Sequence, residues 1–333
     1  MEQSSDMVVH KVDFRGDGSE YFRIWIVNVL LTIVTLGIYS AWATVRNNRY
    51  FYSNFYVGDS HFEYLADPIT ILKGRMVAIV VLVIYAVVSV LYPLAGLIFT
   101  LALIILFPYL IVRSLVFGRR MTSFRNIQFR FKGTYGGALM AFIIWPILGV
   151  LSLGLLFPLS LVKRNAFVIK NSAYGTTAFE FTATYKDYFL IILASFGLVL
   201  LAIIGSVMLS FVLPPIMAGF VIVLGIYATG FYAASRTHNL MFNTTFLNEH
   251  GFNSTVTAGG LFQVALINTL FIILTLGLYL PAAKVRSTKY VCSRLEFEAA
   301  GSLDDFVAAE KENASAIGEE LGDALDLDIG LGI

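Results

Sequence analysis

The phrase "TLGIYSAWATVR", residues 35–46, returns as "TLGLYLPAAKVR" at residues 275–286 and, more loosely, as "SLGLLFPLSLVK" at residues 152–163. Each copy closes an apolar run with a glycine, continues as a short amphipathic stretch and runs into basic residues. A shift of 240 positions lays 28–50 on 268–290 without a gap and matches eleven of twenty-three residues. A shift of 117 is weaker but longer: Phe14, Gly16, Gly37, Val45, Asn48, Gly58, Phe62 and Glu63 fall on Phe131, Gly133, Gly154, Val162, Asn165, Gly175, Phe179 and Glu180. Internal repetition of this kind decides a fold before any single segment does.

The repeated unit has a fixed order. Alternating residues ("KVDFRGDG", "IQFRFKGT") have the period of two of a short strand. A membrane helix, a glycine turn and an amphipathic helix follow, and aromatics alternating around a second glycine then indicate a β-hairpin. Gly37, Gly154 and Gly277 are the repeat-motif turns, where glycine closes one helix and Pro158 or Pro281 starts the next. The units cover about 10–68, 127–185 and 250–300.

Charge-free runs at 76–112 and 188–235 separate them, each longer than the roughly 20 residues that cross a bilayer. Pro93 and the pair Pro214 and Pro215 break these runs near their middles, so each reads as a helical hairpin. The expected fold class is therefore a mainly α-helical, multi-pass membrane bundle of three repeated units and two Pro-tipped hairpins. It forms one integral membrane domain, 1–300, followed by an acidic soluble tail, 301–333.

Composition agrees, with 58% hydrophobic and 14% charged residues, against about 25% charged in an ordinary soluble protein. The polar N-terminus lacks a signal-peptide core. Cys292 is the single cysteine, which excludes an internal disulfide and multi-cysteine metal sites. Of the 22 acids, eleven lie from Glu296 onward with only Lys311 as a cation, so the membrane part is basic and the tail acidic.

Two topologies fit. If each unit crosses once, seven spans result and the first two copies become inverted repeats, a transporter plan. If each unit dips in and returns, every basic cluster falls on the cytoplasmic side, as positively charged flanks prefer. The second arrangement requires irregular backbone at membrane depth to be shielded.

Chemistry is sparse. Nucleophile elbows, HExxH, Walker and dinucleotide motifs are absent, and His10, His61, His238 and His250 are widely spaced. No enzyme activity and no cofactor is expected. Asn28 and Asn268, at matching places with Thr35 and Thr275 two turns on, are the candidate polar path, or else simple inter-helix hydrogen bonds. The stretch 113–132 interleaves Arg113, Arg119, Arg120, Arg125, Arg130 and Lys132 with Phe and Leu beside a membrane exit. Such a cluster suits anionic lipid headgroups better than nucleic acid.

The phrases "F-x-F-x-G", "TLGIYSAWATVRNNRYFYSN" and a following "G-x-x-x-F-E-Y" resemble the YjgN family of bacterial inner-membrane proteins over about residues 10–300. The resemblance implies a multi-pass protein of the bacterial cytoplasmic membrane with no catalytic residues to carry over. In that family the phrase usually reads GIYxPWAxVR; here Ser40 and Ala41 replace the proline position of the first copy, and Pro281 keeps it in the third. The expected role is a path or binding site for a small solute or lipid. The alternative is a non-transport scaffold that binds anionic lipid, or a cytoplasmic partner through the acidic tail.

Overall fold

The computed structural model describes residues 7–313, so the rest of the acidic tail, 314–333, lies outside the described residues. Ten short strands run through the chain: β1 (Met7–Phe14), β2 (Phe55–Val57), β3 (Ser60–Tyr64), β4 (Thr122–Phe124), β5 (Ile127–Phe131), β6 (Ser172–Tyr174), β7 (Thr177–Phe181), β8 (Thr245–Leu247), β9 (His250–Ser254) and β10 (Leu295–Ala300). They are not separate hairpins within a helical bundle. Each pairs antiparallel with its neighbours in sequence, and β10 closes onto β1 with Phe297 opposite His10, giving a closed barrel. Closure removes every sheet edge, which strands of three residues would otherwise expose.

The connections alternate. Four tight turns, at Gly58, Arg125–Asn126, Gly175 and Asn248, carry positive φ of 50 to 67° and join β2–β3, β4–β5, β6–β7 and β8–β9 at one end of the barrel. Left-handed turn residues match the twist of the strands they join. At the other end the chain leaves the barrel and returns through helices.

Two of these excursions are long: α3 (Pro68–Leu91) with α4 (Pro93–Arg120), and α8 (Tyr185–Ser210) with α9 (Pro215–Asn243). All four helices are long and apolar enough to cross a membrane. The breaks fall at the expected prolines, because a proline lacks the N–H that a continuing helix needs and fits its first turn.

Three excursions are shorter: α1 (Gly18–Val34) with α2 (Ser40–Ser53), α5 and α6 (Tyr135–Leu139, Trp145–Leu151) with α7 (Phe157–Lys170), and α10 (Ala258–Leu274) with α11 (Leu280–Cys292). A π-turn, Met140–Ile144, joins α5 to α6. The strands flanking each excursion are hydrogen-bonded neighbours, as in Phe14 opposite Phe55 and Phe131 opposite Ser172. Every excursion therefore returns to the end of the barrel that it left, an arrangement unlike the seven-span alternative.

The glycine phrase explains how the chain reverses. Leu36, Leu153 and Leu276 have φ of 49 to 52°, and Gly37, Gly154 and Gly277 each have φ of 92°. The glycine N–H reaches back five residues, to Thr32, Gly149 and Ile272 oxygens at 2.7 to 2.9 Å. This is a Schellman-type helix end. The Thr35 hydroxyl donates to Leu31 O at 2.7 Å and accepts from Tyr39 N–H at 2.9 Å; Thr275 and Ser152 do the same in their turns. With Leu36, Ile38 and Ser40 N–H also bonded inside the turn, no backbone donor from 35 to 40 needs water. That satisfies the donor half of the condition for reversing a chain in lipid. The tip leucines are 94 to 96% exposed. Such side chains at a helix reversal suit hydrocarbon and not solvent.

Candidate functional site

Alternate residues of the short strands point inward, so the barrel lumen is lined by phenylalanines: Phe14, Phe55, Phe62, Phe124, Phe129, Phe179, Phe252 and Phe297. Part of this lining is a run of touching rings from Phe55 through Phe62 and Phe129 to Phe179, and Phe252 meets Phe297 separately. Phe62 lies 4.8 Å from Phe124 and 6.1 Å from Phe129, and Phe129 lies 6.3 Å from Phe179 in a nearly parallel stack. These side chains do not fill the ring of strands, and a chamber of about 420 Å³ remains. That volume lies within the usual range for small-molecule sites.

Tyr174 spans the lumen wall, its hydroxyl donating to Phe124 O at 3.1 Å. Burial pushes its phenol well above the ordinary range, so it stays a neutral donor.

The helix end of the lumen is built from the last turns of the membrane helices. The residues three positions before β2, β4, β6 and β8 are Tyr52, Arg119, Ile169 and Phe242. Tyr52, Arg119 and Phe242 line the chamber, and Ile169 joins a neighbouring apolar cluster with Phe181 and Tyr188. The Arg119 Nε donates to Ser172 Oγ at 3.1 Å.

The turn end is closed by the chain itself. Gly301, with φ of 84°, bends the backbone out of β10 into a last helix, α12 (303–313). Leu303, Phe306 and Val307 of α12 enter the lumen. Phe306 meets the His250 ring edge-on at 4.4 Å and lies 6.1 Å from Tyr174. Glu310 is 3% exposed; its carboxylate accepts from Thr176 N–H at 2.7 Å, from Thr176 Oγ1 at 2.9 Å and from Thr177 Oγ1. The rim adds an ion pair between Arg125 and Asp304, with Arg125 also donating to Ser60 Oγ at 2.8 Å. His250 accepts the Ala300 N–H at 3.0 Å through Nδ1, and burial holds its pKa below the ordinary histidine value against the pull of Glu249.

The residues singled out in the sequence are distributed differently. Asn28 is 2% exposed and donates to Asn47 Oδ1 at 2.9 Å, whereas Asn268 donates to Ala283 O at 3.1 Å and Ser287 Oγ at 3.0 Å. Each amide ties together the two helices of its own hairpin, and the structure does not assemble Asn28, Thr35, Asn268 and Thr275 into one path. Gly37, Gly154 and Gly277 sit at the hairpin tips described above.

The six cations expected at lipid also separate. Arg113 donates to Tyr109 OH at 2.8 Å on the α4 surface, Arg120 and Lys132 are exposed, and Arg130 is half-buried on β5. Arg119 and Arg125 do not face lipid. The first turns into the lumen because the last turn of α4 is fixed by entry into β4, and the second is drawn by Asp304 to the opposite rim. The lumen and its α12 closure were missed by motif reading. The signal available was the spacing of Leu303, Phe306, Val307 and Glu310, which puts all four on one helical face.

Comparison with known proteins gives the family. The chain is 31% identical to "Inner membrane protein YjgN" of Salmonella typhimurium (strain LT2) over 161 residues, 48% of this chain and 41% of the relative. The namesakes in Escherichia coli O157:H7 and Escherichia coli K12 match at 30% and 29% over similar lengths, so each match spans well under half of the relative. No solved structure matches the chain. Residues 9–324 match the family described as "Bacterial protein of unknown function (DUF898)". With its four apolar spans and its resemblance to YjgN borne out, the chain is a membrane protein that belongs to the DUF898 family.

Proposed function

We propose that the protein is a non-enzymatic binding protein of the bacterial inner membrane, whose barrel lumen receives the apolar part of a lipid-derived molecule. One observation carries this reading: a chamber of about 420 Å³ walled by phenylalanines, held open inside a closed ring of strands and adjoining the bases of the membrane helices. A barrel of this strand number is wider than the eight-stranded kind, whose interior side chains fill or which holds one small ligand. The three repeated units are read as copies of one ancestral hairpin, and their leucine tips as dipping into the bilayer from the barrel side. Lys and Arg gather on the barrel and along the helices that rise from it, with none at the distal tips Tyr92 and Val212. That asymmetry supports a cytoplasmic barrel.

The test is photo-crosslinking of purified protein in nanodiscs with a long-chain lipid bearing a mid-chain diazirine. Adducts on the lumen strands, reduced when Phe129→Trp or Phe179→Trp narrows the chamber, are expected. Adducts confined to the outer faces of α3, α4, α8 and α9 would overturn the reading.

A further inference from the structure

We propose that the ligand of the lumen is a single-chain amphiphile with one acidic head, a carboxylate or phosphate monoester, and that Arg119 is the group that binds the acid. The inference rests on the lumen as a binding chamber and specifies what it holds. Five membrane-side segments enter the barrel, and the position three residues before β2, β4, β6, β8 and β10 is Tyr52, Arg119, Ile169, Phe242 and Cys292. Tyr52 and Phe242 line the chamber, whereas Ile169 packs in the neighbouring cluster with Phe181 and Tyr188, and Cys292 is buried in the core. Before β4 the chain puts a guanidinium, the one cation on the lumen wall among the described residues.

A guanidinium drawn partly into an apolar wall loses some of its hydration, a cost that an anionic partner offsets. Yet neither the Arg15–Asp13 pair nor the Arg125–Asp304 pair involves Arg119, and no carboxylate bonds to its guanidinium among the described residues. Its one hydrogen bond goes from Nε to Ser172 Oγ, which anchors the plane of the guanidinium and leaves both terminal nitrogens to form a fork. That fork suits bidentate capture of a carboxylate or phosphate. Thr122 and Tyr52 beside it on the wall are neutral hydroxyl groups, compatible with an anion. The acid would lie at the helix end, and its chain along Phe62, Phe129 and Phe179 toward α12. The chamber is near the low end of ligand-site volumes, which favours one chain over two.

The probes are a diazirine-bearing palmitic acid, the alcohol of the same chain and the corresponding lysophosphatidic acid, each titrated into full-length protein in neutral-lipid nanodiscs. Cross-linking to the lumen strands is the readout. The wild type is expected to bind one or both acids at least tenfold more tightly than the alcohol, and the arm that binds identifies the head. Arg119→Leu is expected to abolish that preference while leaving alcohol binding within about twofold; Arg119→Lys restores part of it, and Arg120→Leu, at an exposed neighbour, changes nothing. Equal labelling by acids and alcohol in the wild type, or an equal loss of both in Arg119→Leu, overturns the assignment of Arg119 while the lumen stands. Absence of lumen labelling by all three probes removes the chamber reading itself. Melting curves of each variant distinguish a folding defect, and Arg119→Lys decides the outcome should the leucine variant fail to fold.

Discussion

Replacing Glu310 by Gln is expected to loosen the α12 closure without touching the barrel. The carboxylate accepts hydrogen bonds from Thr176 N–H, Thr176 Oγ1 and Thr177 Oγ1, and the side chain is 3% exposed. Gln has almost the same shape but carries no charge, and its NH2 can be met only if a threonine hydroxyl turns to accept. At least one charge-assisted bond is lost, at about 1.5–3 kcal/mol for a buried bond to a charged group. With each tenfold in an equilibrium constant worth about 1.4 kcal/mol, the undocked fraction of α12 rises roughly ten- to a hundredfold. Hydrogen exchange of the 303–313 amides in nanodiscs reads this ratio directly, and exchange in β6 and β7 is the internal reference. Asp304→Asn is the control. Its partner Arg125 is also held by Ser60, and its own side chain is 83% exposed, so that pair is worth only about 0–1 kcal/mol. If Glu310→Gln accelerates exchange in α12 no more than Asp304→Asn does, the buried carboxylate is not what holds the helix, and the reasoning fails.

Docking of α12 should also depend on pH. Burial lowers the pKa of His250 in the docked state, so the undocked state binds more protons; stability is present above the ordinary value of 6.5 and is lost as pH falls through the docked-state value. Exchange of 303–313 should accelerate on acidification, and His250→Gln, which keeps an acceptor for Ala300 N–H, should flatten that profile. At the hairpin tip, Thr35→Ser is expected to be silent because Ser152 already makes both bonds, whereas Thr35→Val strands Tyr39 N–H and costs about 1–3 kcal/mol, read as a lower melting temperature in detergent. In a Cys292→Ser background, single cysteines at Asp59, Asn126 and Glu249 should label from one face of the membrane and a cysteine at Val212 from the other; labelling of Asp59 and Glu249 from opposite faces would contradict the shared barrel rim.

The parts of this fold that can be read from sequence are those whose physics is local. The glycine phrase is legible because three turns solve one problem, the reversal of a helix without leaving a backbone donor unpaired, and the Thr or Ser, Leu and Gly that solve it must stand at fixed spacing. Pro93, Pro214 and Pro215 are legible for the same reason, since each acts within its own helix turn. The barrel is not. β4, β6 and β8 are "TSF", "SAY" and "TFL", three residues each, too short to display a period of two. Partners such as Phe14 and Phe55, or Phe181 and Thr245, are brought together only after a helical hairpin has left the barrel and come back.

Arg119 shows the limit most clearly. By composition it belongs to a basic stretch beside a membrane, and its neighbour Arg120 is exposed as such a stretch requires. One residue apart on a helix, the two point about 100° away from each other. Which of them faces the lumen is set by where α4 enters β4, a consequence of ring closure and therefore of contacts between distant residues. The same closure turns a cation suited to lipid headgroups outside the barrel into one suited to a single acid inside it. A reading of this chain that stops at charge clusters assigns Arg119 to the bilayer surface; only the register of the barrel assigns it to the chamber.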